Sequence, residues 1–187
     1  QNPGTGATAQ ILASGPEQGL DAIARILVAL IHGAKFQVTI ATPSFIPDTP
    51  LLQSLTTAVL RGVQVDLILP EEGDHKLVQL AQRSYLQDLL VAGVRIHSYR
   101  GGFLHAKHVS IDDEIAILGS SNIDIRSFRL NAELNVILFD KAVAAELIGE
   151  QQRYIAESRP LIAENWMKRP MLRQFLEKLV ALVSPLL

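Results

Sequence analysis

A histidine and a lysine stand two residues apart near the middle of the chain, at His105 and Lys107. On a β-strand, residues with this spacing project from the same face, with Cα atoms roughly 6.6 Å apart. An ammonium group can neutralise phosphoryl oxygens, and an imidazole can attack phosphorus or transfer a proton near neutral pH. An isolated pair of this kind usually decorates a surface. With the residues that follow it, the pair predicts a site that binds and attacks a phosphate.

More polar residues follow the pair at short spacing. Gly119 ends an apolar strand, and a glycine there would let the backbone approach a ligand closely. Ser120 and Asn122 come next and offer neutral donors for phosphate oxygens. Glu133 lies on the following predicted strand, where a carboxylate could hold the second ring nitrogen of His105 and fix its tautomer.

Asp112 lies between Lys107 and Gly119. It follows Lys107 by five residues, so strand alternation turns it to the opposite face. We therefore interpret it as a structural residue of a turn at Asp112-Asp113, which joins two strands into a hairpin. It nevertheless completes one continuous pattern, His105-x-Lys107-x4-Asp112-x6-Gly119-Ser120-x-Asn122.

The segments that position these residues alternate between strand-like and helix-like patterns. Strands are predicted at 10–14, 36–41, 63–69, 94–99, 106–111, 114–118 and 132–139. Helices are predicted around 23–30, 49–61, 75–92, 141–157 and 170–183. The predicted fold class is α/β, with a mixed, mostly parallel sheet of about seven strands and helices on both faces.

Size and composition limit the function. The chain has 187 residues, a net charge of −2 and no cysteine. We expect one domain over 10–187, with 1–9 as a linker or the artificial edge of an excised segment. The longest apolar run, 26–31, is far shorter than the about 20 residues of a bilayer-spanning helix. The missing basic excess argues against nucleic acid as a partner, and the absence of cysteine excludes disulfides.

The pattern from His105 to Asn122 resembles the HKD motif of the phospholipase D superfamily, and every defining position is filled. Beyond the motif, the chain is similar to the C-terminal half of bacterial cardiolipin synthases. The similar segments are Thr42-Pro43, Phe45-Ile46-Pro47-Asp48, Gly62-Val63, Leu69-Pro70, Gly93-Val94, Gly102-Phe103-Leu104 and the stretch from Asn122 to Glu133.

The resemblance implies a phospholipase D-like α/β/α sandwich that supplies one of two HKD half-sites. The second half would come from the same full-length chain or from a homodimer partner. The implied enzyme transfers a phosphatidyl group between two phosphatidylglycerol molecules through a phosphohistidine, giving cardiolipin and glycerol. The implied catalytic residues are His105, Lys107, Asn122, Glu133 and Asp112, and the implied phosphate-binding residues are Lys107, Ser120 and Asn122.

The resemblance also implies conditions for this reaction. No metal or other cofactor is implied, because paired lysines neutralise the phosphate. One histidine attacks phosphorus and the other acts as acid and base, and the sequence leaves open which role belongs to His105. The full-length protein is expected to place this domain at the cytoplasmic surface of a bacterial inner membrane, with this piece of the chain itself soluble.

Two other functions stay open. One is a single-motif homodimeric nuclease or phosphodiesterase, or a phospholipase D hydrolase. The other is an inactive isolated half that binds lipid or a partner. His108 faces away from His105, which favours a packed histidine over a catalyst. Near the end of the chain, helical spacing favours core packing or docking on a partner domain over membrane contact for one apolar stripe. The stripe consists of Leu172, Phe175, Leu176, Leu179, Val180 and Val183.

Overall fold

The computed structural model describes residues 6–16, 21–73 and 76–183. Its strands are β1 (Thr8–Ser14), β2 (Gln37–Ala41), β3 (Phe45–Ile46), β4 (Gln64–Pro70), β5 (Arg95–Tyr99), β6 (His108–Ile111), β7 (Ile115–Gly119), β8 (Ile123–Asp124), β9 (Glu133–Phe139) and β10 (Ser158–Pro160). Its helices are α1 (Ala22–Gly33), α2 (Thr49–Leu60), α3 (Lys76–Ala92), α4 (Ile125–Arg129), α5 (Lys141–Ala156), α6 (Ala163–Met167) and α7 (Met171–Val183).

The main sheet has eight strands in the order β1-β9-β7-β6-β2-β4-β5-β10, and β3 pairs with β8 in a separate small sheet. This architecture confirms the α/β class with a mixed sheet. Two details of the prediction were wrong. The main sheet has one strand more than expected, and only β2–β4 and β4–β5 are parallel neighbours. The other five neighbouring pairs are antiparallel.

The connections explain this mixture of directions. Parallel neighbours require a long crossover, and α2 and α3 provide it before β4 and β5. A tight turn joins β6 to β7 and forces them to run antiparallel. The overlooked strand β10 has three residues, ends in Pro160 and lies at the sheet edge, where proline is tolerated. It is too short to show an alternating pattern.

Some strands and helices begin at residues other than those predicted. Strand β1 begins at Thr8, inside the stretch expected to be a linker, and pairs along its length with β9. The short helices α4 and α6 were not predicted. The predicted start of the third helix at His75 lies outside the described residues.

The main core lies between the sheet and helices α1, α2 and α3. Leu27, Leu55 and Leu89 of these helices are almost fully buried against strand residues such as Ile40 and Leu67. Each fully buried aliphatic side chain contributes about 1.5–3 kcal/mol relative to its exposed state. This layer makes the sheet a rigid support for the segments at its ends.

Helix α5 covers part of the opposite face. Gln151 accepts a hydrogen bond from Ser110 Oγ at 2.6 Å and donates to the Thr39 carbonyl oxygen at 3.3 Å. All three residues are buried, so the bonds satisfy polar groups that would otherwise be costly there. Helices on both faces are therefore confirmed.

Asp112 fixes the carboxyl end of β6. Its side chain accepts backbone N–H bonds from Phe36 at 2.8 Å, Gln37 at 3.0 Å and Lys35 at 3.1 Å. Its own N–H donates to the Gln37 carbonyl oxygen at 2.8 Å. Asp112 has φ +52°, a left-handed conformation in which aspartate is enriched. The buried carboxylate therefore joins the β6–β7 turn to the start of β2, as a structural turn residue would.

Replacing Asp112 by alanine removes the acceptor for three N–H groups. We expect Asp112→Ala to lower the free energy of unfolding by roughly 2–4 kcal/mol in urea denaturation. The neighbouring Asp113 makes only a long, exposed ion pair with Lys141 at 3.4 Å. Asp113→Ala is the matched control and should change stability by less than about 0.5 kcal/mol. Similar losses in both variants would contradict the anchoring role.

Candidate active site

The candidate site lies at one end of the main sheet, where β2 ends and β6 begins. Ala41, the last residue of β2, pairs with His108, the first residue of β6. His105 and Lys107 occupy the extended segment just before His108, so the strand begins two residues later than predicted. Leu104, immediately before them, is buried. This buried residue holds the segment against the end of the sheet.

The two side chains lie side by side, as their spacing predicts. Lys107 Nζ is 3.1 Å from His105 Nε2 and donates to the His105 carbonyl oxygen at 3.0 Å. With the lysine charged, Nε2 is the acceptor, so a neutral His105 carries its proton on Nδ1. Nε2 then holds the lone pair that a nucleophile or a general base requires. The imidazole is exposed to solvent, so a substrate can reach it.

Partial burial affects the charge of Lys107. Desolvation lowers the pKa of its ammonium group, and the negative charges of Glu133 and Asp124 oppose that shift without cancelling it. A cation that has lost part of its hydration interacts more strongly with a phosphate oxygen. Across the described parts of the chain, no three His, Asp or Glu side chains are close enough to share a metal ion.

Asn122 and His105 line the same cavity, which has a volume of about 230 Å³. Phe103, Leu104 and the side of α3 that contains Gln82 form other parts of its wall. The Oδ1 atom of Asn122 is buried and has no hydrogen-bond partner among the described residues. Such atoms are rare in folded proteins, and this one belongs to a residue that lines the same cavity as His105.

Gly119 and Ser120 lie at the end of β7 and pack closely against the neighbouring strand β9. A Cβ atom at Gly119 would lie 2.1 Å from Asn135 Oδ1 and 2.6 Å from the Leu134 carbonyl oxygen. The glycine is therefore required for close packing of the chain itself, whereas the sequence suggested close approach of a ligand. Ser120 Oγ accepts a hydrogen bond from the Leu134 N–H at 3.0 Å and donates to the Leu134 carbonyl oxygen at 3.4 Å. Its side chain is exposed, so a substrate can compete with that long donor bond.

Glu133 and Asp112 differ from the expected site geometry. Glu133 accepts a hydrogen bond from Asn131 Nδ2 at 3.2 Å, and its charge acts on Lys107. Among the described residues, the predicted hydrogen bond from His105 to this carboxylate is absent. Asp112 lies at the opposite end of β6 from the histidine, so it does not belong to the cluster. The structure thus brings together His105, Lys107, Asn122 and Glu133, with Ser120 at the end of β7.

Two residues near the pair were not singled out as site residues from the sequence. The Phe103 ring stacks on the His105 imidazole, with ring centroids 5.5 Å apart and planes 13° from parallel. Phe103 precedes the histidine by two residues, so strand alternation was a signal that could have identified it. Asp124 acts on Lys107 and also caps α4 by accepting the Ser127 N–H at 2.8 Å. Its proximity to Lys107 depends on tertiary folding, so no sequence pattern around Asp124 could indicate it.

The family model for the cardiolipin synthase, phospholipase D-like domain matches residues 27–155. The chain belongs to this family. The matched region of the cardiolipin synthase domain contains the whole motif and extends to Glu133 and α5, whereas α6 and α7 lie beyond it.

Individual relatives agree with this assignment to the cardiolipin synthase family. The chain is 39% identical over 183 residues to cardiolipin synthase A of Yersinia pseudotuberculosis and of Serratia proteamaculans. Each match covers 98% of this chain but 38% of the relative, so the chain spans well under half the length of these proteins.

Solved structures share the fold. Phosphatidylserine synthase of Haemophilus influenzae superposes with a TM-score of 0.74 at 20% identity, covering 99% of this chain and 49% of that one. Nuc, a phospholipase D family member from Salmonella typhimurium, gives a TM-score of 0.71 at 20% identity. That match covers 84% of this chain and 99% of Nuc. At this level of identity the likeness shows the fold of the cardiolipin synthase domain.

His108 of this cardiolipin synthase domain faces away from the site and is packed, as predicted. Its Nδ1 lies 3.2 Å from Gln151 Nε2, and its ring stacks on Tyr154 with centroids 5.9 Å apart. Its Nε2 is buried without a partner among the described residues. Burial lowers the pKa of His108 from 6.5 to about 4. The ring is therefore neutral at pH 7 and packs between β6 and α5, next to the segment that contains His105 and Lys107.

Acid should destabilise the domain through this residue. In the unfolded chain His108 binds a proton near pH 6.5, whereas the folded chain resists protonation down to about 4. Its stabilising contribution is therefore complete above pH 6.5 and is lost as the pH falls towards 4. Between pH 7 and 4, we expect the unfolding free energy of the wild type to fall by up to about 3 kcal/mol more than that of His108→Gln. Urea denaturation across this range measures the difference, and parallel curves for the two proteins would refute it.

Proposed function

We propose that the protein containing this chain transfers a phosphatidyl group from one phosphatidylglycerol molecule to another, giving cardiolipin and glycerol. The observation that carries the proposal is the contact between Lys107 Nζ and the exposed imidazole of His105 at 3.1 Å. The chain belongs to the cardiolipin synthase family, and its relatives include proteins named cardiolipin synthase A. Both findings favour a phosphatidyl group as the transferred phosphodiester. We further propose that the domain works at the cytoplasmic surface of a bacterial inner membrane.

The chemistry requires two displacements at phosphorus. A histidine nitrogen attacks the phosphorus of the first lipid, so a P–N bond forms while the P–O bond to the headgroup glycerol breaks. A second histidine gives a proton to the departing glycerol oxygen and then removes a proton from the hydroxyl group of the second lipid. That oxygen attacks phosphorus, the P–N bond breaks and cardiolipin forms. His105 has the exposure that either histidine role requires, and its Nε2 lone pair would leave the hydrogen bond from Lys107 when it attacks phosphorus or takes up a proton.

The surrounding residues have separate roles in this proposal. Lys107 neutralises a phosphoryl oxygen, and the amides and hydroxyls of Asn122 and Ser120 complete the phosphate contacts. Glu133 keeps Lys107 charged, because its carboxylate raises the lysine pKa against the effect of burial. The cavity shared by His105 and Asn122 receives the part of the lipid that adjoins the phosphate.

We also propose that this chain supplies one of two half-sites. The two displacements require two histidines, and among the described residues that line the cavity His105 is the one histidine. Its imidazole is exposed, so a second motif-bearing half can face it and bring its own histidine and lysine to the same phosphate.

Replacing His105 tests the chemical proposal. The full-length protein should convert phosphatidylglycerol to cardiolipin and free glycerol, and His105→Ala should lower turnover by about 10²–10⁴-fold. Lipid extraction with quantification of both products measures the rate. His32→Ala is the matched control, because His32 lies on the exposed face of α1, and it should leave turnover unchanged.

The identity of the products separates the alternatives. Phosphatidic acid as the sole lipid product would make the protein a hydrolase and refute the transferase. Cleavage of DNA in the presence of EDTA, without lipid turnover, would favour the nuclease. Equal activity of the wild type and His105→Ala would remove the imidazole from the chemistry altogether.

The isolated chain tests the half-site proposal. Chain 1–187 alone should be inactive while light scattering shows a monomer. Full activity of that monomer would refute the need for a second half.

A further inference from the structure

Helix α7 is amphipathic, but its apolar side faces outward. Five large side chains are 44–86% exposed, whereas Glu177 is buried and Gln174 is half-buried on the side that faces the protein. At 100° per residue, these five occupy one continuous arc about 140° wide. The arc consists of Met171, Leu172, Phe175, Leu176 and Leu179. This outward orientation differs from core packing, which was one of the two interpretations, with docking on a partner domain, that the sequence favoured over membrane contact.

A buried ion pair holds the helix in this orientation. Glu177 is only 1% exposed, and both its carboxylate oxygens accept hydrogen bonds from Arg169 Nη1 at 2.8 Å. The Arg169 guanidinium also lies over the Trp166 ring, 3.8 Å from its centroid. Next to Glu177 on the inner face, Gln174 donates to the Arg169 carbonyl oxygen at 2.8 Å. Rotating the helix to bury its apolar arc would break these contacts, so the exposed arc is a built feature of the fold.

Charge indicates what covers the arc. The whole chain has 17 basic and 19 acidic residues, but residues 163–183 contain four basic residues and only two acidic ones. One of the two, Glu177, is neutralised by Arg169. Lys178 is exposed and lies about 20° from Met171 on the helical wheel, at the border of the arc. Leucine, methionine and phenylalanine bordered by a cation form the pattern of a helix that lies on an anionic bilayer.

The length of the helix fits the same role. With 13 residues, α7 is about 20 Å long, which is shorter than the hydrocarbon core of a bilayer. None of the helices in the described ranges combines the length and the hydrophobicity that crossing a membrane requires. An exposed apolar arc on so short a helix can be buried in lipid only if the helix lies parallel to the surface.

We propose that α7 is a membrane-surface anchor whose apolar arc inserts between the headgroups of anionic phospholipids. The anchor would hold the domain on the bilayer that contains the proposed lipid substrate. It depends on the geometry of α7 and not on the chemistry at His105, so binding can be tested without turnover. A protein that covers the arc instead is the competing outcome.

Vesicle co-sedimentation of the chain provides the test. We expect wild-type protein to bind vesicles of phosphatidylserine and phosphatidylcholine, and to bind pure phosphatidylcholine vesicles more weakly. The double variant Leu172→Ser/Phe175→Ser should lose affinity for the anionic vesicles by about tenfold or more. Lys178→Glu should weaken binding about fivefold or more, and added salt should reduce that difference.

A matched control removes the same two residue types elsewhere. Phe36→Ser/Leu60→Ser replaces side chains that are 69% and 83% exposed on other surfaces, and it should bind vesicles like the wild type. Circular dichroism and thermal unfolding verify that both double variants are folded. Unchanged vesicle binding by the α7 variant would overturn the proposal. So would a wild-type protein that ignores vesicles but forms a dimer that Leu172→Ser/Phe175→Ser abolishes, because the arc would then be a protein interface.

Discussion

The carboxylate of Asp112 is the constraint on which the site geometry depends. By accepting three N–H groups at the start of β2, it fixes one end of β6 against the neighbouring strand. The other end of β6 leads directly back to Lys107 and His105. A strand advances about 3.3 Å per residue, so the five steps from Lys107 to Asp112 set a distance of about 17 Å between them. The spacing in the motif is therefore a distance between an anchor and a reactive pair.

This arrangement explains why one motif contains residues that never meet. His105 and Lys107 provide chemistry at one end of the sheet, and Asp112 provides position from the other. Gly119 and Ser120 serve both purposes, because the glycine allows close packing on β9 and the serine keeps an exposed hydroxyl at the same place. Conformational freedom at the reactive pair would weaken its grip on a phosphate, and the rigid sheet limits that freedom.

Residue type and strand periodicity were enough to predict part of this structure. They placed His105 beside Lys107 and turned Asp112 and His108 away from them, because alternation along one strand is a local rule. Contacts between residues on different strands could not be predicted in the same way. Glu133 was expected on the imidazole but acts on Lys107, and Asp124 reaches the same lysine from β8. Both outcomes depend on how β6, β8 and β9 pack, which spacing along the chain does not encode.

The sheet and the last helix show the same limit. Alternating strand and helix patterns identified the α/β class but could not reveal that antiparallel pairs outnumber parallel pairs in the main sheet, since direction is set by the connections in space. In α7 the apolar spacing was read correctly, but spacing alone could not decide between packing in the core and docking on a partner domain. The partner of Glu177, Arg169, lies in the turn before the helix, and that ion pair decides the orientation.

Geometry at phosphorus supports the proposal that a second half completes the site. In a displacement at phosphorus, the attacking atom and the leaving oxygen lie on opposite sides of the phosphate. His105 and Lys107 project from one edge toward the same side, with their nitrogen atoms 3.1 Å apart. They can attack or protonate from that side, but they cannot do both in one step. The proposed reaction therefore requires a proton donor on the far side of the phosphate, and among the described residues that line the cavity there is no second histidine to provide it.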